Sequence, residues 1–138
     1  MVKKTAVIIC PGRGTYNRTE LGYIAAHHAS ERALLDVFDL ARGKADQTAI
    51  SALDGAQRFS PSVQTTGENA SPLIYAASLF DARSLMDRFD VVAVTCNSMG
   101  WYTALAVAGA ASPEHAFTIV NTMGTLMQQS LIGGQTLY

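Results

Sequence analysis

Two short apolar runs stand out in the pattern of hydrophobic and polar residues along the chain. Residues 6–10 are Ala-Val-Ile-Ile-Cys and residues 90–95 are Asp-Val-Val-Ala-Val-Thr, and a glycine-containing turn follows each run. Continuous apolar runs of this length, rich in β-branched residues, are typical of strands that are buried in a parallel sheet. The pattern therefore predicts two such strands, each with a glycine turn at its carboxyl end.

Apolar residues elsewhere recur with the spacing of helices. The predicted helices cover residues 20–28, residues 30–43 with Ser30 as the N-cap, a stretch from residue 71, and residues 112–133. For the third helix we expect Ser71 as the N-cap and Pro72 as the first helical residue. Residues 46–69 show no sustained period, which indicates a loop with a short helix at 49–53. Strands and helices in this order predict an α/β fold with a parallel sheet flanked by helices, whose ligands bind at the carboxyl ends of the strands.

Composition restricts the class of protein. The 138 residues are 49% hydrophobic, enough for one domain with a core, and ten basic against eleven acidic side chains leave a net charge of −1. This balance provides no basic surface for nucleic acid or for an anionic membrane. The apolar runs are too short for a signal peptide or a membrane span, and Cys10 and Cys96 lack metal-site spacing. We therefore expect a cytoplasmic protein without a metal, whose two cysteines belong to the core.

The second glycine turn has features of a nucleophile elbow. Residues 96–100 are Cys-Asn-Ser-Met-Gly and stand between a predicted strand and a predicted helix. A nucleophilic serine needs such a tight turn, with small residues two positions before and after it, which here are Cys96 and Gly100. The helix behind Ser98 directs backbone N–H groups at a developing oxyanion, and Met99 would supply one of them. Taken alone, a serine in such a turn is more often a simple helix cap, and this turn departs from the usual G-x-S-x-G.

The first glycine turn, Pro11-Gly12-Arg13-Gly14, is expected to face the second, since both turns follow parallel strands. A second oxyanion donor would have to come from such a loop. An alternative is a phosphate site, in which this loop cradles a nucleotide or flavin at a helix N-terminus. That alternative is weak, because G-x-G alone is common and no G-x-G-x-x-G follows.

Four segments of the chain resemble one enzyme family. Residues 95–110, T-C-N-S-M-G-W-Y-T-A-L-A-V-A-G-A, are similar to G-H-S-x-G-E-Y-x-A-L-x-x-A-G, and C-P-G-R-G at 10–14 is similar to P-G-Q-G. Ser71-Pro72-Leu73 resembles the start of a Q-P-A-L helix, and an R-G-x-x-M-Q helix is resembled by Gly124, Met127 and Gln128. These motifs belong to the malonyl-CoA:acyl-carrier-protein transacylases and to the acyltransferase domains of polyketide synthases. The chain resembles the N-terminal part of their large, hydrolase-like subdomain.

The resemblance implies a ping-pong acyl transfer with Ser98 as the nucleophile. Ser98 would take an acyl group from coenzyme A as an ester and pass it to the phosphopantetheine thiol of an acyl carrier protein. The backbone N–H groups of Arg13 and Met99 would hold the oxyanion. The coenzyme A thioester is a substrate, so no bound cofactor is expected. The positions that the resemblance assigns to substrate binding are Gly12, Asn97, Ser71 and Met123.

The family's catalytic histidine has no counterpart in this sequence. In the family it follows an inserted ferredoxin-like subdomain, and the chain ends at Tyr138 before either segment. His27, His28 and His115 lie in predicted helices and are each expected to be a surface or a partly buried structural histidine and not the general base. We therefore expect residues 1–138 to be an N-terminal part that is inactive alone and requires a complementary C-terminal segment or subunit.

Substitutions at four family positions bear on the substrate. Asn97, Trp101, Ser71 and Met123 replace a histidine, a glutamate, a glutamine and, in malonyl-specific members, an arginine. Without the arginine that pairs with the malonyl carboxylate, a plain monocarboxylic acyl group is expected. Two alternatives remain open at this stage: an acyl hydrolase on the same site, and a catalytically idle fragment that binds a partner.

Overall fold

The computed structural model describes residues 2–130, whose sheet consists of two parallel strands. Strand β1 is Thr5–Cys10 and strand β2 is Asp90–Cys96, which confirms both predicted strands to within one residue. The register places Cys10 beside Cys96 at the carboxyl ends. Because the strands are parallel and end together, the loops that follow them emerge side by side.

Seven α-helices accompany the sheet in the described residues. They are α1 Tyr23–His27, α2 Arg32–Lys44, α3 Ile50–Asp54, α4 Pro61–Gln64, α5 Gly67–Arg88, α6 Gly100–Val107 and α7 Pro113–Gln129. Helix α3 confirms the short helix predicted near 49–53, whereas α4 lies in a stretch predicted as loop. None of the seven has the combination of length and apolarity that crossing a lipid bilayer requires. The predicted α/β class, with a parallel sheet flanked by helices, is confirmed.

Four helix boundaries differ from the predictions or lie beyond the described residues. The helix predicted at 20–28 is interrupted by Gly22, whose φ of 83° is left-handed, and α1 begins only after it. Ser30 lies in a 3₁₀ turn before α2 and does not cap it, and Gly43 lies within α2 without ending it. The predicted helix end at Gly133 and Gly134 falls outside the described residues.

Helix α5 begins earlier than the sequence predicts. It starts at Gly67, so Ser71 and Pro72, which were expected at its first positions, lie inside it. The prediction was wrong because a proline inside a helix normally leaves the carbonyl four residues earlier without a partner, here that of Glu68. In this fold the guanidinium of Arg42 donates to the Glu68 carbonyl, with Nη1 2.9 Å from the oxygen. A side chain distant in sequence thus satisfies the group that the proline leaves free.

Arg42 is buried and joins three parts of the fold. Besides the Glu68 carbonyl, its guanidinium donates to the carbonyl of Thr48 and to the amide oxygens of Asn69 and Asn121, the last two over 2.6 and 2.7 Å. Burial lowers the pKa of this guanidinium. The hydrogen bonds fix the first turn of α5 against α2 and α7.

The aromatic core holds α7 against α5. The Phe38 ring stacks on that of Phe117, with centroids 4.2 Å apart, and Tyr75 and Phe80 of α5 pack beside them. The Tyr75 hydroxyl donates to the carbonyl of Pro113 at the start of α7 over 2.6 Å. Since both helices are held in this way, the middle of α7 lies beside the N-terminal half of α5.

One face of the sheet is packed and the other is open. Ile8 and Cys10 are buried, whereas Val7 and Ile9 on the opposite face of β1 are 55% and 71% exposed. Val92, at an irregularity of β2, is 62% exposed. Parallel sheets are normally covered on both faces. Within the described residues this sheet therefore presents an uncovered apolar face.

Candidate active site

Ser98 lies on the tight turn between β2 and α6, as the sequence predicts. Its φ of 51° is left-handed, which is uncommon for a residue other than glycine. Such backbone strain is concentrated at functional sites, and in a strand-to-helix turn it exposes the serine hydroxyl. Accordingly, Ser98 is exposed, whereas the following Met99 is buried.

Two glycines bring the loop after β1 against this turn. A Cβ atom on Gly100 would overlap the backbone carbonyl of Cys10, and a Cβ atom on Gly12 would lie 3.0 Å from the Cβ of Ser98. The N–H of Asn97 donates to the carbonyl of Cys10 over 3.1 Å. The two loops that were predicted to meet are therefore in direct contact.

A cavity of about 220 Å³ opens beside Ser98, between the two loops and helices α5, α6 and α7. Its lining residues are Arg13, Ser71, Ser98, Met99, Tyr102, Val120, Met123 and Met127. The structure thus brings most of the predicted site residues to one cavity. The two that do not line it, Gly12 and Asn97, adjoin Ser98.

Three lining residues were given no binding role from the sequence. Tyr102 follows Ser98 by one helical turn, and Val120 and Met127 lie three residues before and four after Met123 on the same helix. Residues three and four apart share a helix face. This spacing was the signal that could have identified them, although it equally fits core positions.

The exposed residues of the cavity lining are polar, whereas most of its buried and half-buried residues are apolar. Ser98 and Arg13 are exposed at the rim, Met99 and Val120 are buried, and the two methionines of α7 are half-buried. Arg13 alone carries a charge among the described lining residues. Its guanidinium turns towards the start of α5, with Nη1 3.2 Å from the position that a Cβ on Gly67 would take.

Two backbone N–H groups of the loops around Ser98 have no backbone partner in the described part of the chain. Within residues 2–130, neither the N–H of Arg13 nor that of Met99 forms a backbone hydrogen bond. They belong to the two loops that meet at Ser98. An oxyanion hole requires donors of this kind, and the sequence predicts that role for these two groups.

None of the chain's three histidines lines this cavity. His28 is buried, with Nε2 2.8 Å from Oδ1 of Asp81, and the same oxygen accepts the Tyr23 hydroxyl. His27 is exposed beside the Tyr23 ring, and His115 is exposed in the first turn of α7. His28 thus has the surroundings of a structural residue, whereas His27 and His115 lie at the surface.

A buried hydrogen bond anchors the segment that follows the Arg13 loop. The Tyr16 hydroxyl donates to Oδ1 of Asp54 over 2.6 Å, and the same carboxylate accepts the N–H groups of Ile24 and Ala25. Burial, followed by the hydrogen bond to Asp54, raises the pKa of Tyr16. No local sequence signal indicated this contact, because the two partners are 38 residues apart.

The neighbouring cysteines at the strand ends are free thiols. Burial, and secondarily the presence of Cys96, raises the pKa of Cys10 to about 11. A thiol with this pKa is protonated at neutral pH and is a poor nucleophile. Cys10 is 2% exposed and belongs to the core, as expected.

Solved acyltransferase structures share this fold. The acyl carrier protein S-malonyltransferase of Vibrio cholerae matches 95% of this chain and 41% of its own, with a TM-score of 0.73 and 23% sequence identity. This chain has part of the malonyl transacylase fold. The transacylase of Xanthomonas oryzae matches 96% of this chain and 41% of its own, with a TM-score of 0.76 and 21% identity. A malonyl transacylase in complex with a type II polyketide synthase acyl carrier protein matches 95% of this chain and 41% of its own, with a TM-score of 0.74 and 22% sequence identity.

The chain spans about two fifths of the length of these solved structures, 41% of each. This extent agrees with the prediction of an N-terminal part, and the resemblance carried by the four motifs is confirmed at the level of the fold. No protein-family model matches the chain, and no curated protein sequence does.

Proposed function

We propose that Ser98 is the nucleophile of an acyltransferase that moves an acyl group from coenzyme A to an acyl carrier protein. The observation that carries this proposal is an exposed serine at a φ of 51°, placed beside a cavity, in a turn whose two loops each hold a backbone N–H group without a backbone partner in residues 2–130. The fold agrees with it, since the solved neighbours include malonyl transacylases.

The reaction proceeds through two half-reactions at Ser98. In the first, the Ser98 oxygen attacks the thioester carbonyl while its proton passes to a general base, and the N–H groups of Met99 and Arg13 stabilise the oxyanion. The C–S bond then breaks, coenzyme A leaves as the thiol with that proton, and an ester remains. In the second, the phosphopantetheine thiol gives its proton to the base and its sulfur attacks the ester carbonyl. The bond between the acyl carbon and the Ser98 oxygen then breaks, that proton restores the hydroxyl, and the acyl group remains on the carrier as a thioester. An oxyanion donor of this kind contributes about 10²–10³-fold in rate.

The general base is a histidine of a complementary C-terminal segment or subunit. The chain's own histidines are bonded elsewhere or exposed away from the cavity. The uncovered sheet face with Val7 and Ile9 offers an apolar surface that such a complement would bury. We therefore expect little transferase activity until the complement is present.

An acyl carrier protein is the proposed acceptor. One of the solved neighbours is a malonyl transacylase in complex with such a carrier protein. Ser98 lies at the exposed rim of its cavity, so a thiol on a long phosphopantetheine arm can approach it from solvent.

A plain monocarboxylic acyl group is the proposed substrate, with malonyl used poorly. Met123 lies in the cavity wall, where its thioether cannot pair with a carboxylate. An unpaired carboxylate in apolar surroundings costs several kcal/mol, and each ~1.4 kcal/mol is tenfold in rate. Met123→Arg is expected to raise malonyl transfer relative to acetyl transfer by about tenfold or more. If the unmodified enzyme already prefers malonyl tenfold, Arg13 binds the carboxylate and this part of the proposal is wrong.

The site of acylation tests the proposal. The protein in its natural cellular form is exposed briefly to acetyl-coenzyme A, and its intact mass and peptide map are then measured. We expect one acetyl group on Ser98, none in Ser98→Ala, and normal loading in the control Ser84→Ala, which alters an exposed serine of α5. Uptake by Ser98→Ala would place the nucleophile elsewhere. Rapid release of free acid would favour a hydrolase, and no loading at all would favour an idle, partner-binding protein.

A further inference from the structure

The cavity beside Ser98 is larger than an acetyl group requires. Its volume is about 220 Å³. An apolar protein cavity of about 150 Å³ is large enough for benzene, a molecule of six carbons. Acetyl places a single methyl group beyond its carbonyl carbon, so it would leave most of this space empty. The space fits an alkyl chain of about six carbons.

The apolar half of the lining, formed by Met99, Val120, Met123 and Met127, suits an alkyl chain. Val120 is 0% exposed, and Ser71 is 3% exposed with a side chain too short to fill the space. Met123 and Met127 are one helical turn apart on α7 and form an adaptable wall, because methionine is unbranched and polarizable. Apart from Ser71, the buried residues of the lining are therefore apolar.

We infer that the preferred acyl group is a medium-length chain of about six carbons, whose length is limited by the Met123–Met127 wall. This inference rests on the proposed acyl transfer through Ser98. Each buried methylene adds about fourfold to kcat/KM, so hexanoyl is expected to exceed acetyl by at least tenfold. Decanoyl exceeds the available length and falls below hexanoyl.

A competition experiment measures this preference in one sample. The protein in its natural cellular form is mixed with equal concentrations of acetyl-, butyryl-, hexanoyl-, octanoyl- and decanoyl-coenzyme A. The Ser98 peptide is then analysed by mass spectrometry, which distinguishes the five acyl groups. Met127→Ala enlarges the cavity and is expected to lengthen the preferred acyl chain by at least two carbons. Met127→Phe narrows the cavity and is expected to shift the preferred chain length towards butyryl.

Leu126→Ala is the matched control, because Leu126 is the neighbouring residue of α7 but is 48% exposed. It is expected to leave the chain-length profile unchanged. Loading that is highest with acetyl and identical in both Met127 variants would overturn the inference while leaving acyl transfer through Ser98 intact. Absence of any acyl group on Ser98 would overturn the proposed function together with the inference.

Discussion

Replacing Arg42 with methionine perturbs the network that holds the first turn of α5. The guanidinium is 0% exposed and donates to the carbonyls of Thr48 and Glu68 and to the amide oxygens of Asn69 and Asn121. Methionine keeps much of the apolar stem but has no donor, so these acceptors lose their partner. Each buried acceptor left unsatisfied costs about 1–3 kcal/mol.

The net effect is smaller than the sum of these costs, because removing a buried charge also removes its desolvation penalty. We expect Arg42→Met to lower the free energy of unfolding by about 3–5 kcal/mol, a large part of the ~5–15 kcal/mol typical of a domain. Urea unfolding followed by circular dichroism measures this loss.

Arg32→Met is the matched control for this experiment. The Arg32 side chain is 65% exposed and pairs with Asp36 one turn away, so its loss is expected to cost less than about 0.5 kcal/mol. A loss below about 1 kcal/mol in Arg42→Met would refute the reasoning, since buried acceptors without partners would then cost almost nothing.

Three further predictions concern packing, a buried hydrogen bond and pH. Gly124→Ala would place a Cβ 2.5 Å from a backbone carbonyl of α5 and is expected to lower the free energy of unfolding by about 2 kcal/mol, whereas Gly43→Ala, with open space around it in α2, is expected to raise it by about 0.5 kcal/mol. Equal urea midpoints in these two variants would contradict the packing. Tyr16→Phe removes the hydrogen bond to the buried Asp54 carboxylate and is expected to lower the free energy of unfolding by about 1.5–3 kcal/mol. Thermal unfolding measures this loss, and an unchanged Tm would show that the hydrogen bond does not stabilise the fold. Burial raises the folded-state pKa of Cys10 to about 11 from an ordinary value of 9.0. The free energy of unfolding is therefore expected to be highest below pH 9 and to fall as the pH rises through 11. This fall is expected to be smaller in Cys10→Ala.

The strands and the serine turn could be predicted because their signals are local. A continuous β-branched run such as residues 6–10 has few alternatives to a buried strand. Small residues around Ser98 similarly indicate a tight turn. The meeting of the two loops then follows from parallel strand direction alone, and the contact of Gly12 with Ser98 confirms it.

Other features depend on contacts that local patterns do not contain. The start of α5 was misplaced because the rule for Pro72 is overridden by Arg42, 30 positions earlier, through the carbonyl of Glu68. Helical spacing placed Val120 and Met127 on one face of α7 but could not show whether that face meets core or cavity. Likewise, the N–H groups without a backbone partner in the two loops become apparent only when every backbone partner is known.

Following an acyl group through both half-reactions tests the proposed chemistry most directly. Protein carrying a labelled acetyl group is separated from coenzyme A and mixed with an acyl carrier protein that bears phosphopantetheine. We expect label to leave Ser98 and appear on the carrier thiol in equal amounts, with no transfer by Ser98→Ala. Label released only as free acid, or transfer undiminished in Ser98→Ala, would contradict an acyl transfer through this serine.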